Sequence, residues 1–83
     1  MVYVYVLCGS KGKRYVGITN NPARRLEEHR SHHTKGGQIL GDVDLVLCEP
    51  YPDYASARTR EIFLKSGQGR KWLDKNYPKS LPA

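Results

Sequence analysis

The stretch Val2-Tyr3-Val4-Tyr5-Val6-Leu7-Cys8, followed by Gly9-Ser10-Lys11-Gly12 and then by Lys13-Arg14-Tyr15-Val16-Gly17-Ile18-Thr19, decides how this chain folds. Its first run consists of β-branched and aromatic residues, which suit a pleated surface and gain little from a helix. The Gly/Ser/Lys tetrapeptide is a turn and the second run resumes the strand pattern, so the whole reads as an antiparallel hairpin. With Tyr5 set opposite Tyr15, the alternation of side chains puts Tyr3, Tyr5, Tyr15 and Gly17 on one face of the ribbon. Gly17 inside a strand weakens that strand and marks a place where a ligand or another backbone comes close.

After the hairpin, Asn20-Asn21-Pro22 starts a helix. An Asn side chain caps orphan amides, and Pro at the first helical position loses no hydrogen bond. This helix is expected from Pro22 to His33, and Gly36, Gly37 and Gly41 then punctuate a loop. Val43 to Tyr51 reads as a third strand ended by Pro50 and Pro52. A second helix is expected from Tyr54 to Lys65, stopped by Ser66-Gly67, and a short third from Arg70 to Lys75 that carries Trp72 and Leu73 into the core. The Pro-rich end is expected to fray, which leaves a folded domain over 1–77 and a flexible tail over 78–83. The order is β-β-α-β-α-α. A sheet this narrow cannot bury both faces unaided, so the helices must cover it.

Eighty-three residues make one domain. The formal net charge of +6 and a pI near 9.6 give it a positive field suited to phosphate backbones. The same charge serves plain solubility equally well, so charge alone does not choose between them. An apolar content of 39%, gathered in runs such as Val2 to Leu7 and Val43 to Cys48, excludes disorder. The two cysteines, Cys8 and Cys48, lie in apolar strand-like runs and are expected to be buried thiols rather than a disulfide. Neither has a second cysteine two to four residues away, so there is no zinc pattern. The chain opens directly into a strand without a signal-peptide pattern, and no apolar stretch approaches the roughly 20 residues that span a bilayer. A cytoplasmic location is expected.

Three groups of residues carry possible chemistry. The first helix has only Ala23 and Leu26 as apolar positions, short of a full stripe. Arg25 and His29, four apart, are instead neighbours on one face. Two groups that can both be cationic make sense beside an anion; they are equally compatible with a solvated face on which Arg25 pairs with Glu28. On the second helix Glu61 falls beside Ala57 and Leu64 at the edge of the apolar arc, where a carboxylate must pair or bind a cation. Lys65 and Arg58 are ordinary partners for it, and a metal ion is the other. Finally, six tyrosines in so short a chain are many, although strands accept half-buried aromatics readily.

Taken in order, these residues resemble the GIY-YIG nuclease family. Tyr3-Val4-Tyr5 and Tyr15-Val16-Gly17 look like its paired tripeptides, with Tyr3 in place of the first Gly and Val in place of both isoleucines. Arg25 and His29 match the family's helix-borne Arg and His, and Glu61 its metal-binding Glu. Leu64-Lys65-Ser66-Gly67 with Gly69-Arg70-Lys71-Trp72-Leu73 is similar to the end of small stand-alone members; the N-terminal nuclease domain of an excinuclease is a further likeness. The resemblance runs over about residues 2 to 76. It implies an α+β fold with a three-stranded antiparallel sheet flanked by helices, and a metal-dependent endonuclease acting on nucleic acid, DNA before RNA, in repair or processing of structured DNA.

The resemblance also implies roles. Glu61 would hold a single divalent cation, Mg²⁺ or Mn²⁺. Tyr5 would help activate the attacking water, and Arg25 would stabilise charge on the pentacovalent transition state. Tyr15 and His29 would position the phosphate and assist proton transfer. Lys13, Gly17, Arg24 and Asn76 would contact the nucleic acid. Replacing the first Gly by Tyr3 removes no catalytic atom. The competing readings are a non-catalytic nucleic-acid-binding module of the same fold and a small domain whose basic face docks an acidic protein. A monomer is expected, with a partner protein as one means of targeting.

Overall fold

The computed structural model describes residues 1–9, 13–30 and 43–77. Within them the order is β1 (Val2–Gly9), β2 (Arg14–Thr19), α1 (Pro22–Arg30), β3 (Val43–Tyr51), α2 (Tyr54–Lys65) and α3 (Gly67–Asn76). The sheet runs β2-β1-β3 with both pairings antiparallel. The fold is thus α+β, a three-stranded antiparallel sheet flanked by helices in the order β-β-α-β-α-α. The expected turn at 10–12, the glycine loop and the tail beyond 77 lie outside the described residues, as do His32 and His33 at the expected end of the first helix.

The hairpin register differs from expectation by two residues: Tyr5 pairs with Gly17, and Leu7 rather than Tyr5 faces Tyr15. An even shift leaves every side chain on its expected face, so Tyr3, Tyr5, Tyr15 and Gly17 still share one side. Alternation along β1 separates two small cores. Val4 and Val6 pack with Ala57, Leu64 and Leu73 beneath α2 and α3, while Tyr5 and Leu7 pack with Tyr15 and with Leu26 of α1. β1 is therefore covered on both sides, and Val4, Val6 and Leu7 are 0% exposed.

Between the pairs Val6–Leu47 and Leu7–Leu45 the β1–β3 register slips by one, so Val46 is an extra residue on β3. Val46 and Leu47 both pack on the α2/α3 core as a result. The alternation that takes Leu47 inward leaves Cys48 exposed, and Cys8 is half-buried; neither forms a disulfide. The expectation that both are buried fails because an apolar run does not by itself bury both faces of a strand.

Helix ends follow from their caps. Asn21 Oδ1 accepts from the Arg24 amide at 3.1 Å ahead of Pro22, and Asp53 Oδ1 accepts from the Ser56 amide at 2.8 Å to start α2. Ser66 ends one helix and begins the next: its amide donates to the Phe63 carbonyl at 3.0 Å, and its hydroxyl accepts from the Gly69 amide at 3.2 Å. Gly67 is consequently the first residue of α3 and not a stop, and that helix begins three residues before the expected Arg70. Gly69 is where α3 meets α2. A Cβ there would lie 1.9 Å from the Phe63 carbonyl oxygen, so no other residue fits without moving backbone. Across the α2–α3 contact the Arg60 guanidinium lies 4.8 Å from the Trp72 ring centre and 5.2 Å from that of Phe63. It also bonds both oxygens of Glu49 on β3, at 2.9 and 3.3 Å. No helix among the described residues is long and apolar enough to cross a membrane.

Candidate active site

The site residues gather where α1 lies over β1 and β2. Pairing sets Tyr5 directly across from Gly17, and the missing side chain leaves room for the rings. A Cβ on Gly17 would lie 2.7 Å from Tyr5 Oη and 2.9 Å from Tyr15 Cε1. Gly17 is buried. The space that its missing side chain leaves is filled by the two tyrosines, so Gly17 makes room for the site.

Helical spacing brings Arg25 and His29 down onto these rings. Arg25 Nε donates to Tyr5 Oη at 3.4 Å and its Nη1 to Glu28 Oε1, also at 3.4 Å. The Glu28 pair is thus real, and Arg25 reaches the site as well. The His29 ring centre lies 4.7 Å from Tyr15 and 6.3 Å from Tyr5, and the two tyrosines are 5.9 Å apart. His29 is 1% exposed, and neither ring nitrogen has a hydrogen-bond partner among the described residues. Orphaned buried polar atoms are uncommon and call for a reason.

Burial sets the protonation states here. Tyr5, 2% exposed, has its pKa pushed up to about 12, chiefly by desolvation of the phenolate; Arg25 opposes the shift and Tyr15 adds to it. Arg25 is held still more firmly protonated, first by its hydrogen bond to Tyr5. His29 is pushed down by burial and next by the Arg25 charge, so it is neutral at pH 7.

Glu61 stands apart from this cluster. It is 7% exposed on the sheet-facing side of α2 with Ala57 and Leu64. Its carboxylate accepts from Arg58 and from Lys65 Nζ, the latter at 3.3 Å. Lys65 in turn shares the wall of a cavity with Tyr15, at the outer edge of β2. Of the other expected contacts, Lys13 is exposed beside the hairpin turn and Arg24 is exposed at the start of α1. Asn76 ends α3, where its amide donates to the Trp72 carbonyl at 2.8 Å. Arg24 lines a shallow hollow together with Arg25, Thr19 and Tyr54.

One residue escaped the sequence. Arg14 projects to the α2/α3 side of β2, where Nη1 donates to Asp74 at 2.7 Å and Nη2 to the Tyr77 carbonyl at 2.8 Å. The signal was present, since Arg14, Val16 and Ile18 alternate on the inward face of the strand and a cation in such a row must have partners.

The chain belongs to the GIY-YIG catalytic domain family, which it matches over residues 1–75. That is a nuclease family, and its nucleases are generally metal-dependent. Among curated proteins the chain is similar to UPF0213 proteins. It is 36% identical over 64 residues to one from Xanthomonas axonopodis pv. citri (strain 306), covering 76% of this chain and 63% of that protein. It is 38% identical over 66 residues to one from Desulfotalea psychrophila (strain LSv54 / DSM 12343), covering 76% of this chain and 59% of the other. The chain thus spans about three fifths of the length of these relatives. No solved structure matches it.

The donor set can be tested against the metal that family membership implies. No group of three or more His, Cys, Asp or Glu that could hold an ion occurs among the described residues. The described residues alone therefore do not form a protein-only cage. A hard divalent cation that keeps most of its waters and is completed by a substrate phosphate needs only one or two carboxylates. Glu61 fits that requirement: its present partners are side chains more than half exposed, 53% for Arg58 and 54% for Lys65, whose ion pairs hold by little.

Proposed function

We propose that this protein is a divalent-metal-dependent endonuclease that hydrolyses phosphodiester bonds in DNA, in repair or processing of structured DNA. The observation that carries the reading is the convergence of Tyr5, Tyr15, Arg25 and His29 on one another over Gly17. Arg25 is a permanent cation with donors to spare, and it is preset where charge would develop on a phosphorane. Its Nε occupies the Tyr5 oxygen, so the phenol proton is directed away from α1.

Magnitudes limit what Tyr5 does alone. With a pKa of about 12, only about one molecule in 10⁴ carries the phenolate at pH 8, since 12 − 8 is four units. Arg25 does not lower it enough for Tyr5 to act as a base unaided. Glu61 is the residue that would hold a divalent cation, Mg²⁺ or Mn²⁺, and such an ion would supply positive charge to the scissile phosphate and to the attacking water. Neutral His29 supports the Tyr15 ring and offers an unshared nitrogen for a proton. Lys13, Arg24 and Asn76 would guide the strand at the periphery.

A non-catalytic nucleic-acid-binding module has one observation in its favour: both Glu61 oxygens are already taken by Arg58 and Lys65. Cleavage of supercoiled plasmid, branched and single-stranded DNA with Mg²⁺ or Mn²⁺ separates the two. The nuclease reading expects cutting by wild type, none by Glu61→Gln, and unchanged binding by that variant. Salt-sensitive binding with no cutting of any substrate would establish the module instead.

A further inference from the structure

A cavity of about 330 Å³ opens along the outer edge of β2, where Tyr15 meets the end of α2 and the first turns of α3. Leu64 and Leu73 give it an apolar floor, and its charged lining is wholly cationic: Arg14, Lys65 and Arg70. An apolar concavity with a few convergent polar groups is the usual form of a ligand site. Three cations around one hollow repel each other, and the arrangement is relieved when an anion enters.

The three cations are committed to different degrees. Arg14 has a side chain only 9% exposed; two of its nitrogens are used, and its Nε is buried without a partner among the described residues. Lys65 is shared with Glu61. Arg70 is exposed, and its guanidinium has no hydrogen bond or ion pair among the described residues. Its backbone amide caps nothing beyond the ordinary bond to Ser66 at 2.9 Å. The hollow is thus walled by the Arg14 side chain, fixed by Asp74 and the Tyr77 carbonyl, and by the Arg70 guanidinium, which the described fold does not use.

We propose that this cavity is a phosphate subsite that holds a backbone phosphodiester of the bound strand next to the one addressed by Arg25. The assignment rests on the reading of the site as a nucleic-acid-cutting centre. Tyr15 makes the two places neighbours: its ring packs on His29 on one side, and the residue lines the cavity on the other. A strand crossing the β2 edge therefore keeps contact with Tyr15 while one phosphate meets Arg25 and another meets Arg14 and Arg70. Arg14 and Arg70 supply guanidinium N–H groups suited to phosphate oxygens, and Arg14 is fixed in place by Asp74 and the Tyr77 carbonyl.

The test is binding without metal, in EDTA, so that no cutting intervenes. Fluorescein-labelled single-stranded and duplex oligonucleotides are titrated by anisotropy across a salt series into wild type, Arg70→Ala and Lys71→Ala. Lys71 is exposed on the same helix and outside the cavity, so its loss changes the overall charge equally. Arg70→Ala should weaken binding roughly threefold or more and reduce the salt slope by about one, with a clearly smaller effect from Lys71→Ala. The Arg14 Nε–H resonance should move when oligonucleotide is added. Equal effects of the two substitutions would reduce the cavity to part of a general basic field and overturn the proposal. So would an Arg14 resonance that responds to inorganic phosphate and not to oligonucleotide, or wild type that binds neither strand form. Cutting by wild type with Mg²⁺ is scored separately: its absence with the subsite intact sinks the nuclease reading alone.

Discussion

Gly17→Ala adds one methyl group at the point where the two site tyrosines cross β2. The new Cβ would lie 2.7 Å from Tyr5 Oη, 2.8 Å from Tyr5 Cζ and 2.9 Å from Tyr15 Cε1. Non-bonded heavy atoms settle at about 3.5 Å, so the phenol oxygen must retreat by 3.5 − 2.7, roughly 0.8 Å. Tyr5 is packed among Leu7, Tyr15 and Leu26 with 2% of its surface exposed, and has nowhere easy to go. Overpacking of this kind costs about 1–3 kcal/mol. Loss of glycine's freedom in the unfolded chain returns about 0.4–1 kcal/mol, because the backbone at Gly17 is not left-handed and accepts Ala without strain. The two ranges leave a net loss of about 0–2.6 kcal/mol, and its midpoint near 1.3 kcal/mol is roughly 5–10 °C in Tm for a domain of this size. Catalysis should suffer more, since the Arg25–Tyr5 bond at 3.4 Å is already at the limit of useful length. Thermal melting with near-UV circular dichroism reads the first effect, and cleavage well below either midpoint reads the second. A variant that melts at or above wild type, with unchanged aromatic dichroism, would refute the placement of the rings. One that melts lower yet cuts normally per folded molecule would refute the role given to the Arg25–Tyr5 contact.

Three further outcomes are expected. Arg60→Ala removes the bidentate bond to Glu49 and the stack on Trp72 and Phe63, and should lower stability in urea by about 1–3 kcal/mol; Arg60→Lys should recover only a minor part, and full recovery would mean that charge alone matters there. Because the folded pKa of His29 is lowered, the unfolded chain binds the extra proton first: stability is complete above about pH 6.5 and falls below it, by at most about 1.4 kcal/mol per pH unit. Urea midpoints of wild type and His29→Phe between about pH 5 and 7.5 measure this, and a slope retained by the variant would assign it to other groups. Tyr5 should remain a neutral phenol at pH 10 and ionise near 12, read from its ¹³Cζ shift, and a half-ionised Tyr5 at pH 10 would remove desolvation as the dominant influence.

How much of this is legible from residues alone varies with the physics involved. The third strand and the second helix run from Val43 to Tyr51 and from Tyr54 to Lys65 as expected, because prolines and an Asp cap act locally. The hairpin register departs from expectation by two because the number of turn residues does not decide which pairs form, yet the face assignment holds because only parity matters to it. Ser66 reads as part of a stop, although the same side chain that ends α2 can cap α3; local chemistry there permits both, and the packing of Gly69 on α2 decides. Partial burial of Glu61 is readable from its position on the apolar arc. The use of Arg60 between Glu49, Trp72 and Phe63 is not, since those partners come together only when helices and strand cross.

The shortage of apolar residues on α1 has a cause in the fold. What α1 packs against on β1 and β2 is a layer of tyrosines, so Leu26, His29 and the stem of Arg25 together serve as its apolar stripe. In a domain with only a few kcal/mol of net stability, the surface that carries the chemistry has to serve as core as well. That dual use is visible in its cost: a buried His29 nitrogen with no partner among the described residues forfeits about 1–3 kcal/mol that an apolar side chain would not. On the opposite face of β1, Val4 and Val6 close on Ala57, Leu64 and Leu73, and the polar groups buried there, Glu61 and Arg14, are held by ion pairs with Arg58, Lys65 and Asp74. Since odd and even residues of one strand serve the two faces, a one-residue slip of β1 would exchange valine for tyrosine throughout both. The irregularity in the sheet lies on the β3 side at Val46, while the pairing with β2 runs unbroken from Tyr3–Thr19 to Cys8–Arg14. The strand pair that holds the tyrosines is thus the one whose register is continuous.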